Sequence, residues 1–249
     1  MSRYFIEVAY KGTRYSGFQV QQNAVTIQSE IEKALAICFK TSFSLTGASR
    51  TDTGVHALQN YFHADSPEIQ IDNPSRLYNL NAILPGDIVI KAIFKVDDNA
   101  HCRFDAVSRE YKYHIYSQKN PFLKDQAYYY PFKVDKNLLD QAALIIKNLK
   151  DFASFSKKNT QVNNFICQIY RSQWVFEDEQ LVYNVEANRF LRGMVKGLVG
   201  TMLMAGTKKI TLSQFEKIIA DRDCSKANFA VSPYGLYLVN VRYSNNVIR

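Results

Sequence analysis

The chain predicts an α+β fold built of antiparallel sheets and helices in two subdomains. Three observations carry that expectation. Stretches that alternate apolar and polar residues with period two are interleaved with stretches that repeat at helical spacing. Hairpin connections occur where a doubly wound α/β protein would place crossover helices. A similar series of elements then begins again in the middle of the chain, near residues 100–108, although no sequence repeat accompanies it. At 249 residues the chain can form one large domain or two of roughly 100–150 residues, and can bury a core without covalent staples.

The elements follow in order. Arg3 to Tyr10 sets Tyr4, Ile6, Val8 and Tyr10 against Arg3, Phe5, Glu7 and Ala9, the pattern of a strand. Thr26 can N-cap a helix whose apolar residues are Ile27, Ile31, Leu35, Cys38 and Phe39. A strand over Gln59 to Ala64 comes next, then a short helix from Pro74 to Leu84 stopped by Pro85-Gly86, then a strand from Ile88 to Val96. In the second series, Arg109 to Tyr116 alternates as a strand with Arg109, Tyr111, Tyr113 and Ile115 on one face. Leu138, Ala142, Ile145 and Leu149 mark an amphipathic helix. Gln173 to Phe176 and Leu181 to Ala187 read as strands joined by the acidic turn Glu177-Asp178-Glu179. Arg189 to Ala205 reads as a helix, Thr211 with Gln214 as a capping box opening another to Ala220, and Leu236 to Tyr243 as a closing strand. The expected division is 1–105 and 106–249.

Composition narrows the function. Hydrophobic residues at 47% and charged residues at 22% describe a globular chain, not a disordered one. A formal charge of +8 makes a polyanion the first partner to consider, and sixteen Tyr with sixteen Phe supply rings that can stack on unpaired bases. Cys38, Cys102, Cys167 and Cys224 are scattered, as are His56, His63, His101 and His114, so all eight read as non-ligands and no metal is expected. Unpaired cysteines suit a reducing cytoplasm, and the N-terminus lacks the apolar run of a signal peptide. The most apolar helical stretch, Gly193 to Gly206, contains Lys196 and is too short to span a bilayer.

Chemistry concentrates in Gly47-Ala48-Ser49-Arg50-Thr51-Asp52-Thr53-Gly54-Val55-His56-Ala57. In extended backbone, side chains at i and i+2 leave the same face, so Arg50 and Asp52 project together, and the cation favours the charged carboxylate needed by a nucleophile or base. An ordinary aspartate in a tight turn is the plain alternative. A second constellation is the predicted helix in which Gly193, Gly197 and Gly200 share a side with Arg189, Arg192 and Lys196. Close packing explains bare glycines; a cleft where a polyanion approaches the backbone explains the bordering cations as well. Third, Tyr111 and Tyr113 share a strand face with Arg109, either as core or as a platform for a base turned out of its stack.

These residues resemble the TruA-type tRNA pseudouridine synthases. The likeness rests on the Asp52 segment and on Tyr10-Lys11-Gly12 with Gly17-Phe18-Gln19-Val20-Gln21. Arg103-Phe104-Asp105-Ala106 and Arg109-Glu110-Tyr111-Lys112-Tyr113 extend it, as do Asp151-Phe152-Ala153-Ser154-Phe155 and Asn188-Arg189-Phe190-Leu191-Arg192-Gly193-Met194-Val195. Pro233-Tyr234-Gly235-Leu236-Tyr237-Leu238 completes it in the family's order. The resemblance implies conversion of uridine to pseudouridine at positions 38, 39 and 40 of the tRNA anticodon arm, without a cofactor. It also implies a homodimer whose chains each have two α+β subdomains around a basic active-site cleft. Asp52 would be the catalytic aspartate. Arg50 would displace the target nucleotide, Tyr111 would stack on the uracil, Arg192 would pair with Asp52, and Leu238 would touch the base. Arg189 and Lys196 would contact phosphate. Departures are Ser49 where the family has glycine, Thr53 for alanine, Phe18 for tryptophan and Ala100-His101-Cys102 for a Phe-His-Ala run. Ser49 matters most, because its side chain narrows the loop's allowed backbone angles.

The reaction breaks the N1–C1′ bond, turns the uracil and joins C5 to C1′, so it is redox-neutral. Asp52 could attack C1′, add to C6 or remove the C2′ proton. Two other readings compete. Asp52-Thr53-Gly54 is also an aspartic protease tripeptide, but such a site needs carboxylates sharing a proton, which the neighbouring Arg50 opposes. A non-catalytic RNA-binding protein of the same fold is the other.

Overall fold

The structure, a computed structural model, describes residues 1–66, 70–158 and 164–248. The chain divides into two units, Met1–Val107 with Tyr237–Arg249, and Ser108–Leu236. Each combines a mostly antiparallel sheet with helices, an α+β arrangement.

The first unit begins with β1 (Ser2–Tyr10), whose burial follows the alternation except that Phe5 is also buried. Phe5 packs on the opposite face against Phe94 and Tyr243, so aromatic rings cover both faces of this strand. The helix α1 (Ile27–Phe39) starts at Thr26, which forms a reciprocal capping box with Ser29 and buries Ile27, Ile31, Ala34 and Leu35. Short β2 (Thr46–Gly47) leads to β3 (His56–Ser66), which pairs antiparallel with β1 so that Tyr4 faces Ala64. Asn73 caps α2 (Pro74–Ile83), with Pro74 at its first turn where the missing N–H costs nothing. Antiparallel β4 (Ile88–Lys95) closes the far side of β1.

The second unit opens with β5 (Ala106–Tyr116), along which short β6 (Tyr128–Tyr129) lies parallel. Asp135 caps α3 (Lys136–Asn148). Its buried stripe is Leu139, Ala142, Ala143 and Ile146, not the Leu138–Ala142–Ile145–Leu149 stripe that the sequence suggests. Two apolar registers coexist in this helix, and the adjacent alanines let the packed face sit close. Next, β7 (Ile169–Glu177) and β8 (Gln180–Ala187) form a hairpin whose two central residues, Asp178 and Glu179, have φ of 47° and 62°. Positive φ at both positions matches the right-handed twist of the flanking strands. The order β5-β8-β7 is antiparallel throughout.

The helix expected over Arg189–Ala205 is shorter: α4 spans Met194–Gly206, and Gly193 precedes it at φ 73°. Arg189 and Arg192 therefore lie in the approach to the helix, not on it. Nor is the glycine face open. A Cβ on Gly197 would come within 2.7 Å of the Phe229 ring, and one on Gly200 within 2.1 Å of the Asn228 carbonyl. Segment 228–229 fills that surface, so close packing, not a ligand, accounts for these two glycines. Thr211 and Gln214 form the expected capping box of α5 (Leu212–Ala220).

The final strand, β9 (Leu236–Tyr243), belongs with the first unit almost entirely, pairing parallel to β3 at His56–Tyr237 and Ala57–Leu238. This moves Tyr237–Arg249 out of the expected 106–249 unit, and the β3–β9 and β5–β6 pairs add parallel contacts to the expected antiparallel sheets. A strand read one at a time carries no mark of the sheet it will join.

Replacing Gly200 with Ala gains about 1 kcal/mol of helix propensity but forces backbone apart, an overpacking cost of about 1–3 kcal/mol or more. The 2.1 Å approach to a backbone oxygen makes the clash dominant. Gly200→Ala is expected to lower the thermal midpoint, whereas Gly86→Ala, which meets nothing within 4 Å, is expected to leave it unchanged or raise it. Thermal melts of both variants check this.

Candidate active site

The loop carrying Arg50 and Asp52 is fastened from below. Its alternation holds: Arg50 and Asp52 are exposed and Thr51 between them is buried. Thr51 Oγ1 is hydrogen-bonded to Tyr10 Oη at 2.8 Å, and its carbonyl accepts from the Phe18 N–H at 3.1 Å. Asn60 is fully buried on β3; its amide donates to the Ser49 carbonyl at 2.8 Å and to Tyr10 Oη at 3.2 Å. Its Oδ1 accepts from the Tyr61 N–H at 2.9 Å. Strand residues from β1 and β3 thus hold the backbone on either side of Arg50.

The loop's exit is a turn closed by the Val55 N–H on the Asp52 carbonyl at 3.1 Å, with Gly54 at φ 79° supplying the positive angle a side chain resists. Gly12 is needed nearby, since a Cβ there would lie 2.0 Å from the Val55 oxygen, and its N–H donates to His56 Nδ1 at 3.1 Å. Ser49 is not among the residues with positive φ, so its side chain imposes no backbone strain. Among the described residues Arg50 and Asp52 form no ion pair with each other; both are exposed, on either side of buried Thr51. Leu238, opposite Ala57, is fully buried.

The remaining sequence-predicted residues lie in the second unit. Tyr111 is half-buried and meets Phe190 edge-on, with ring centroids 5.0 Å apart. Tyr113 is core: it is fully buried and its hydroxyl donates to the Ser232 carbonyl at 2.5 Å. Arg109 is buried too, donating to the Asn188 carbonyl at 3.0 Å, so of this strand face only Tyr111 remains a candidate platform. Arg192 is exposed, while Arg189 and Lys196 are half-buried. The Arg192 carbonyl accepts from the Lys157 N–H at 3.0 Å, which pins this approach loop to segment 156–158. Sequence reasoning missed Asn60 and Tyr10 as supports of the Asp52 loop. The available signal was a carboxamide on the apolar face of a strand, since a buried polar group must be bonded to something.

One group among the described residues has the ligand types for a metal: His63, His101 and Cys102, with candidate ligand atoms within 4.8 Å of one another. Backbone amides already occupy the rings. The Cys102 N–H donates to His63 Nδ1 at 3.2 Å, and the Arg103 N–H to His101 Nδ1 at 3.1 Å. An accepting Nδ1 has no proton, so the neutral ring keeps one on Nε2 and presents no lone pair there. The Cys102 thiol donates to the Thr46 carbonyl at 3.1 Å. The geometry is that of a hydrogen-bonded cluster. Burial first, and His101 second, push the His63 imidazole down to about 4. No helix among the described residues is long and apolar enough to cross a membrane.

Comparison with known proteins adds independent information. Residues 6–105 and 149–244 match the family model described as tRNA pseudouridine synthase. The chain is 39% identical over its full length to all of the tRNA pseudouridine synthase A of Azobacteroides pseudotrichonymphae. It is 40% identical to the proteins of that name from Parabacteroides distasonis, over 98% of this chain and 96% of the relative, and Bacteroides fragilis, over 99% and 98%.

Two outcomes test this geometry. Asn60→Leu strips donors from Ser49 and Tyr10 inside the core and is expected to cost about 1–3 kcal/mol in urea unfolding. His63, protonated in the unfolded chain near its ordinary value of about 6.5 but only near 4 when folded, contributes stability above that ordinary value. That contribution is lost as pH falls from about 6.5 through 4, so the acid limb of stability against pH is expected to be shallower in His63→Gln.

Proposed function

The chain belongs to the tRNA pseudouridine synthase family, and on that premise we propose that it isomerises uridine to pseudouridine at positions 38, 39 and 40 of the tRNA anticodon arm. The observation that carries the reading is the Asp52 loop: an exposed carboxylate and an exposed guanidinium two residues apart, with the residue between them tied into a buried network. Such a loop holds its acid in one place at little entropic cost during the reaction, which is what positioning a glycosidic carbon against a carboxylate requires.

The chemistry asks little of a cofactor. The N1–C1′ bond breaks, the released uracil turns, and its C5 forms the new bond to C1′ with loss of the C5 proton, so no electrons enter or leave. Asp52 is the group that attacks or deprotonates the nucleoside. Arg50 takes the space the nucleotide vacates when it leaves the stack. Tyr111 offers a ring face to the everted uracil and Arg192 the cation that balances the Asp52 carboxylate; Leu238, fully buried opposite Ala57, has no surface for a base and supports the β3–β9 pair instead. Arg189 and Lys196 serve phosphate, consistent with a formal charge of +8. The enzyme works in the cytoplasm as a homodimer.

Asp52→Asn tests this directly. Pseudouridine formation in an anticodon-arm transcript is expected to fall by about a thousandfold or more, with transcript affinity kept. An RNA-binding protein without catalysis would instead show no turnover in the wild type.

A further inference from the structure

The second unit contains a cavity of about 470 Å³ between the segment that follows Phe155 and the turn at Arg222–Cys224. Ser156 lines it, is only 4% exposed, and has a buried Oγ with no hydrogen-bond partner among the described residues. An unpaired buried hydroxyl costs about 1–3 kcal/mol, and native chains rarely keep one unless something arrives to complete it. Here the surroundings say what arrives. Lys157 and Lys158 come from the same segment and Arg222 from the facing turn, against one lining carboxylate, Asp223.

One oxygen of that carboxylate is engaged. Asp223 Oδ1 accepts from the Ser225 N–H at 2.9 Å, capping the short 3-10 turn Cys224–Lys226. Arg222, held at φ 51°, has one nitrogen on Asp151 at 3.0 Å, which steadies a guanidinium that has five N–H donors to share. Lys157 donates its N–H to the Arg192 carbonyl, and its side chain lies across Gly193, where an added Cβ would come within 3.1 Å. The cavity wall is thereby fixed to the loop that carries Arg192. A hydroxyl donor flanked by two lysines and a guanidinium, which outnumber the one lining carboxylate, is a donor set suited to a phosphate oxygen.

We propose that this cavity seats a backbone phosphodiester of the RNA substrate, with Ser156 Oγ, Lys158 and Arg222 as its donors. The proposal rests on tRNA being the substrate. Ser156→Ala and Lys158→Gln in the full chain test it by tRNA affinity between about 50 and 200 mM salt. Loss of an orphan hydroxyl leaves Ser156→Ala as thermostable as the wild type or more so, yet its tRNA Kd is expected to rise about three- to tenfold. Lys158→Gln is expected to reduce the slope of log affinity against log salt by about 1. Affinities within about twofold of wild type, with unchanged slopes, overturn the proposal while wild-type pseudouridine formation keeps the function standing. A wild type that forms no pseudouridine removes the function and this phosphate with it. If inorganic phosphate raises the wild-type melting temperature while the variants bind tRNA normally, the cavity is a free-anion site and the RNA assignment is wrong.

Discussion

The Asp52 loop depends on a small buried polar hub, Tyr10 with Thr51 and Asn60. A loop punctuated by Gly47 and Gly54 has more backbone freedom than a reactive carboxylate can tolerate. The hub removes that freedom by giving Thr51 and Ser49 bonding partners that sit on strands, which cannot shift without disturbing β1–β3 pairing. Such a network is cooperative in both directions. Complete, it rigidifies; with one member gone, the others become buried unsatisfied groups. An apolar core at the same place would be cheaper, but it would leave the loop backbone unheld.

Charge count alone overstates the surface open to a polyanion. Arg171 reaches Glu110 at 2.5 Å and lies 3.6 Å from Glu186, Lys112 pairs with Glu177 at 2.9 Å, and Arg109 is buried against a backbone carbonyl. These cations stitch the β5-β8-β7 sheet together. Other exposed cations, such as Lys33, Arg76, Lys91 and Lys217, lie on helices and strands, while Arg50 on the Asp52 loop, Arg192 ahead of α4, and Lys158 and Arg222 around the Ser156 cavity lie on loops. Loops on a rigid sheet are where binding groups are expected, because the sheet fixes positions and the loops leave donors accessible.

Local signals were legible and long-range ones were not. Caps at Thr26 and Thr211, the acidic hairpin after Glu177 and the exposure of Arg50 and Asp52 on either side of buried Thr51 all follow from residues a few positions apart, and the structure has each of them. Family membership was legible because whole motifs survive in order. The glycines of α4 misled because a bare helix face looks the same in sequence whether a ligand or the chain itself covers it; here Phe229 and Asn228 do. The overlong helix from Arg189 misled similarly: the run contains no proline, and only Gly193 at positive φ marks the true start. The parallel return of β9 and the buried amide of Asn60 depend on partners far along the chain, beyond the reach of periodicity, and so does the burial that leaves the Ser156 hydroxyl without a partner among the described residues.

The departure at Phe18 shows how one substitution is absorbed by that architecture. Phe18 is almost fully buried and stacks on Phe62 with centroids 4.3 Å apart and planes 10° from parallel. A Cβ on Gly47 would fall 2.1 Å from its ring, so Gly47 is bare because this ring lies over it. Phe18 also donates its N–H to the Thr51 carbonyl and therefore belongs to the clamp as well as to the core. Its backbone anchors the loop whatever the ring's size, and its ring packs on Gly47, Phe62 and Tyr10. A smaller aromatic is tolerated here because the group that fixes Thr51 is the backbone amide, which every residue but proline supplies.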